Sequence, residues 1–248
     1  MLRSLIAVFL IIILALVFLF YGVGTYRVER EDIPPGPRPH AYGDPSRSLQ
    51  DIRVTAFYFV PKNKSPASGW HTALARTLEK LKAFHEFQFL RTSSLTFEIF
   101  PLPVIGLRDN LVYDTESTQH GNPEGLRNVV EELEERGFFT DETAAGGKEE
   151  DSVKNSVPYE VKIILYEGVG ASGAPHHVLI SRLFLTNPEY REGGTAILAH
   201  EFYHALGAPD GYRLDTGVPT DEDIMGLGYR DPIERAFLKR DTLKKFGL

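Results

Sequence analysis

Residues 195–210 read TAILAHEFYHALGAPD, and the reading of the whole chain turns on this stretch. Ala196, Ile197, Leu198, Ala199 and Phe202 are compatible with a helix. Gly207 is a natural stop for it, because glycine accepts the left-handed conformation in which many helices end. On such a helix His200 and His204 are turned ~40° from one another and stand ~6 Å apart along the axis, so both imidazoles reach one ion. Glu201 falls ~100° round from His200, beside that ion and not on it, where it can polarise a water. Asp210 follows six residues after His204, enough chain to bring its carboxylate back to the same point. Two imidazoles, a carboxylate and a water are the three-protein-ligand, open-position arrangement of catalytic zinc.

The composition leaves few other chemistries open. The 248 residues contain no cysteine, which removes disulfides, thiolate nucleophiles, iron–sulfur clusters and every cysteine-containing zinc site. Lys and Arg number 27 against 34 Asp and Glu, a net charge of −7 without any long basic run, so no nucleic-acid partner is expected. The glycines at 168, 170 and 173 imitate a dinucleotide fingerprint, but Ala174-Pro175-His176-His177 and a strand follow where a helix should open. That segment reads as a flexible turn. His176 and His177 read as the end of a loop, with a second, structural zinc as the alternative.

Downstream of the helix, Asp223-Ile224-Met225-Gly226 contains the only methionine besides the initiator. Together with HExxHxxGxxD over 200–210, this resembles the metzincin clan of zinc endopeptidases, whose pattern is HExxHxxGxx, a third ligand and a Met-turn. The third ligand in most of that clan is histidine; Asp210 in its place resembles the snapalysin-type and immune inhibitor A-type secreted proteases. The resemblance covers about thirty residues. It implies zinc held by His200, His204 and Asp210, with Gly207 and Met225 supporting the site. It further implies a peptide or protein substrate hydrolysed by a metal-activated water, with Glu201 as general base. A strand at 177–185 would be the substrate-binding edge, and Tyr212 or Tyr229 would be placed to donate to the oxyanion or to pack beneath the metal. The implied fold class is α+β, a twisted mixed sheet with a long backing helix and an active-site helix.

The body matches that order of elements. Residues 54–60 (VTAFYFV) have the content of a buried strand. Trp70, Leu74, Leu78, Leu81 and Phe84 mark an amphipathic helix over 70–89. Residues 94–100 alternate like a half-buried strand, and Asn122-Pro123 caps a helix that stops at Gly137. Residues 140–158 read as a polar loop, and 161–166 and 177–185 as strands.

Residues 4–26 carry no charge and are almost unbroken Leu, Ile, Val, Phe and Ala over 5–21, long enough to cross a bilayer. They predict a transmembrane signal anchor at 1–26, a Pro-rich linker at 27–50 and a catalytic domain at 51–248, membrane-tethered and extracytoplasmic. A cleaved signal peptide ending near Gly22-Val23-Gly24 would make the protein secreted. Two further readings stay open: a third ligand at Glu222 or Glu234, as in thermolysin-like enzymes, and a catalytically inactive scaffold or binding module with a structural metal. The oligomeric state is not legible.

Overall fold

The β-branched and aromatic run at 54–60 becomes the middle of a sheet buried on both faces. The computed structural model describes residues 36–114, 121–139, 157–190, 193–211 and 222–248; the chain from Pro37 to Leu248 is one compact unit. Its elements in chain order are β1 (His40–Ala41), β2 (Asp44–Ser48), β3 (Asp51–Val60), α1 (Trp70–Gln88), β4 (Ser94–Ile99), β5 (Val104–Ile105), α2 (Asn110–Tyr113), α3 (Pro123–Glu135), β6 (Tyr159–Tyr166), β7 (Ala171–Ala174), β8 (His177–Ser181), α4 (Arg182–Thr186), α5 (Gly194–Ala205) and α6 (Arg240–Lys245).

The main sheet runs β4-β3-β6-β8-β7, with β5 continuing beside β3. All its pairs are parallel except β7 with β8. Side chains alternate across it, as a strand demands. Val54, Ala56, Tyr58, Ile163, Leu165, Val178 and Ile180 share one core with α1 and α5. Phe57, Phe59, Ile164, Tyr166 and Leu179 share another with α3. Helices cover both faces, so the chain is a three-layer mixed α/β fold where an α+β arrangement was expected.

Three sequence expectations differ from what is observed. The strand expected over 177–185 ends at Ser181, whose hydroxyl accepts from Leu183 N at 3.2 Å and opens α4. β8 is interior, and the edge is β7, inside the segment expected to be a flexible turn. The linker expected over 27–50 is folded from His40 onward. His40 N donates to Phe246 O at 2.9 Å and Gly43 N to Lys245 O at 2.8 Å, and Leu49 is fully buried.

The expected single-pass membrane localisation is corrected: among the described residues no helix is long and apolar enough to cross a membrane. Residues 4–26, on which that expectation stood, lie outside the described residues, as does most of the 140–158 loop.

α1 packs against β4 and α5, its buried Leu74, Leu78 and Leu81 joining the core on that face of the sheet. At its C-terminal end His85 is fully buried against Phe89, Phe202 and Tyr203. Ser93 gives its hydroxyl proton to Leu49 O, so His85 Nε2, 2.8 Å from Ser93 Oγ, is the donor there. Burial pushes the imidazole down to about 3. Between that value and ~6.5 the unfolded chain binds a proton that the folded chain does not, so stability is lost as pH falls below ~6.5. Urea unfolding should show ~2 kcal/mol less stability at pH 5 than at pH 7 from this residue. His85→Phe should remove that share; an unchanged pH dependence in the variant would show that His85 is not its source.

Candidate metal centre

α5 carries His200 and His204 one turn apart, and the chain stops where Gly207 adopts φ +94°. The stop is closed by Gly207 N donating to His204 O at 2.9 Å and Ala208 N to Tyr203 O at 2.9 Å. A side chain at Gly207 would find room, since an added Cβ comes no nearer than 3.6 Å to Tyr42. The conformation is therefore what requires glycine.

Both imidazoles are held by their Nδ1 atoms. His200 Nδ1 donates to Ile224 O at 2.8 Å and His204 Nδ1 to Ala208 O at 2.7 Å. A ring nitrogen that close to a carbonyl carries the proton, so each Nε2 presents its lone pair. The two Nε2 atoms are 3.1 Å apart, and Asp210 Oδ1 lies 3.4 Å from the first and 3.1 Å from the second. Asp210 Oδ1 is buried and accepts no hydrogen bond.

Three electron-pair donors thus converge on one point. That is unfavourable unless a cation lies among them. Tetrahedral ligands at the ~2.0–2.1 Å bond lengths of zinc stand ~3.3 Å from one another, so this donor set fits that ion.

The carboxylate is brought back by the residues after it. Gly211 N donates to Met225 O at 2.7 Å, and an added Cβ at Gly211 would stand 3.0 Å from Gly226 N and Met225 C. Met225 is buried beneath the site. Its turn is organised by Asp223, 1% exposed, which stands out in the sequence only by its place in the tetrapeptide. Asp223 Oδ1 accepts from Met225 N at 3.1 Å; Oδ2 accepts from Thr242 Oγ1 at 3.1 Å and Lys239 N at 3.3 Å. Ile224, between them, donates its N–H to Phe237 O at 2.8 Å while its carbonyl holds His200.

Glu201 shares a cluster with the two histidines, their ligand atoms all within 4.8 Å of one another. Burial raises its carboxyl above the ordinary value, against the pull of His200 and His204 and a hydrogen bond from Gly173 N. Gly173, on β7, lies directly on α5: an added Cβ would stand 2.3 Å from Glu201 O and 2.7 Å from His204 Cβ.

The remaining candidates separate clearly. Tyr229 lies beside the site, its ring centroid 5.1 Å from that of His200, and its hydroxyl accepts from Arg230 Nε at 3.1 Å. Tyr212 lies outside the described residues. Glu234 is at the surface, paired with Lys80 at 2.8 Å, and Glu222 is exposed, whereas Asp210 is the carboxylate that meets the two imidazoles. The alternative of a second zinc on His176 and His177 is not supported. His176 Nδ1 donates to Glu160 O at 2.8 Å and its Nε2 accepts from Arg47 Nη1 at 3.0 Å, so both ring nitrogens are engaged.

No protein-family model matches the chain, and no curated protein does. Among solved structures it is similar to OgpA from Akkermansia muciniphila, with 16% identity and a TM-score of 0.47 over 78% of this chain and 59% of that one. It is also similar to an archaemetzincin from Methanopyrus kandleri, with 16% identity and a TM-score of 0.41 over 79% and 94%. A third is metalloproteinase-II from Bacteroides fragilis, with 13% identity and a TM-score of 0.40 over 86% and 56%. The chain thus spans about three fifths of OgpA. Likenesses at this level do not carry function, which rests on the site's own chemistry.

Proposed function

We propose that the chain is a zinc-dependent peptidase of the metzincin type, in which His200, His204 and Asp210 hold the ion and Glu201 is the general base. The observation that carries this reading is the convergence of two Nε2 atoms and a buried carboxylate oxygen at zinc-ligand spacing. Zinc, when bound, supplies Lewis-acid polarisation of a carbonyl and acidification of a water.

The chain's own residues do the rest. The two backbone carbonyls, Ile224 O and Ala208 O, fix the tautomer and the aim of each imidazole. Glu201, desolvated and oriented by Gly173 N–H, takes the proton of the attacking water and passes it to the leaving amine. Asp210 in place of a third imidazole makes the donor set one charge more negative, the feature shared with snapalysin-type and immune inhibitor A-type proteases. The site should therefore also work with harder ions. Reloading the apo-protein with Mn²⁺ or Co²⁺ should restore hydrolysis; activity with zinc alone would refute this.

The deciding experiment compares wild type with Glu201→Gln on a mixed peptide library, with bound zinc quantified in both. Equal zinc, and hydrolysis reduced ~10²–10⁴-fold in the variant, is the expected result. Zinc in both with hydrolysis in neither would favour a structural metal in an inactive scaffold, and no zinc in either would remove the site.

A further inference from the structure

We infer that this site takes a peptide by its chain end and not by a long central segment; the inference rests on the peptidase reading above. β7 is the sheet edge beside the site, where an extended peptide would gain main-chain hydrogen bonds. In an antiparallel pair, the N–H and C=O of one residue point the same way, and the direction alternates along the strand. Gly170 O accepts from Ser181 N at 2.9 Å. Gly170, Ser172 and Ala174 therefore face β8, and Ala171 and Gly173 face outward, with Pro175 following them in the turn to β8.

Those three residues have little left to offer. Ala171 O already accepts from Asn122 N at 3.2 Å. Gly173 N–H is bonded to Glu201. Pro175 has no N–H, and its carbonyl lies 3.2 Å from His177 Nδ1. Among the described residues this leaves Ala171 N–H and Gly173 C=O for a substrate, which is too little for a ladder.

The obstruction at Ala171 is built into the fold. Asn122 is fully buried, its N–H also donates to Ser172 Oγ at 2.7 Å, and its side chain caps α3 by accepting from Gly125 N at 2.9 Å. The same side chain donates to Val169 O at 3.3 Å. Gly121 adopts φ +84°, and an added Cβ would stand 2.6 Å from Ala171 O, so the backbone lies directly against the edge. Gly173 marks the level of Glu201 and His204 on the strand, and Ala171 is two residues away, ~7 Å. A peptide lying along β7 with its scissile bond at the site meets Gly121 and Asn122 about two residues further on. A chain that ends there fits; one that continues must leave the edge.

In place of the internal cutting expected of an endopeptidase, cleavage should fall within about two residues of one terminus. The test uses the full zinc-loaded chain and peptides of one fixed length, in which the scissile pair selected from a random library is moved stepwise from either end to the centre. kcat/KM should fall by at least about tenfold once more than about two residues lie on the obstructed side. Equal rates at every position would overturn the inference and leave the peptidase reading standing. Absence of hydrolysis at every position, with zinc bound, would overturn both.

Discussion

Asp210→Ala is expected to lose its zinc while keeping its fold. Asp210 sits on the turn after α5 with its side chain 24% exposed, outside the apolar core, and the turn is held from the backbone through Gly211 N and Met225 O. Removing the carboxylate therefore deletes a ligand without deleting packing. The two imidazoles, still aimed by Ile224 O and Ala208 O, offer only two of three protein ligands. The loss of zinc affinity should exceed the ~10–100-fold typical of losing an outer hydrogen-bond partner. Asp210→Asn keeps the shape and gives a weaker, neutral donor, so it should fall between. Competition with a chromogenic chelator would give the affinities, and urea unfolding of the apo-proteins should agree within ~1 kcal/mol. Wild-type zinc affinity in Asp210→Ala would remove Asp210 from the ligand set and return the third position to an unassigned residue.

The motif of the candidate site is visible in one dimension because its parts are local. His200, Glu201 and His204 share one helical turn, Gly207 ends it, and Asp210 is within reach of a short turn. The same holds for α1 and α3, whose apolar spacing and whose Asn122 cap are properties of neighbouring residues. What the sequence hid is non-local. Ala171–Ala174 has the small residues of a turn, and it is a strand because β8 pairs with it and because only glycine at 173 lets α5 approach. Leu183 and Leu185 extend the apolar pattern of β8, but the Ser181 hydroxyl bends the chain into a helix. The linker expected before residue 51 is folded because the backbone N–H groups of His40, Tyr42 and Gly43 find carbonyls of Phe246, Leu206 and Lys245, more than 160 residues away in each case. No spacing rule reports such partners.

Asp223 belongs to the same hidden class, and its replacement should have the largest effect on stability of any single change at the site. Its carboxylate is buried and accepts from Met225 N, Lys239 N and Thr242 Oγ1, joining the turn beneath the metal to α6 and the residue before it. In Asp223→Ala these donors lose their acceptor in a place water does not reach, at ~1–3 kcal/mol for each group left unsatisfied, so a loss of ~3–5 kcal/mol is expected. Asp223→Asn restores one acceptor oxygen but turns an amide N–H₂ toward a donor, so it should recover only part of this. The turn is also what aims His200, through Ile224 O. Where Asp223→Asn still folds, zinc affinity should therefore drop ~10–100-fold with the three ligands untouched. Thr242→Val removes one donor together with its demand, so it should cost less than either change and leave zinc binding near wild type. Cobalt-substituted spectra separate the two roles: a changed d–d envelope in folded Asp223→Asn would show altered ligand geometry at the metal. An unchanged envelope with wild-type affinity would mean that Asp223 holds the fold together and does nothing for His200.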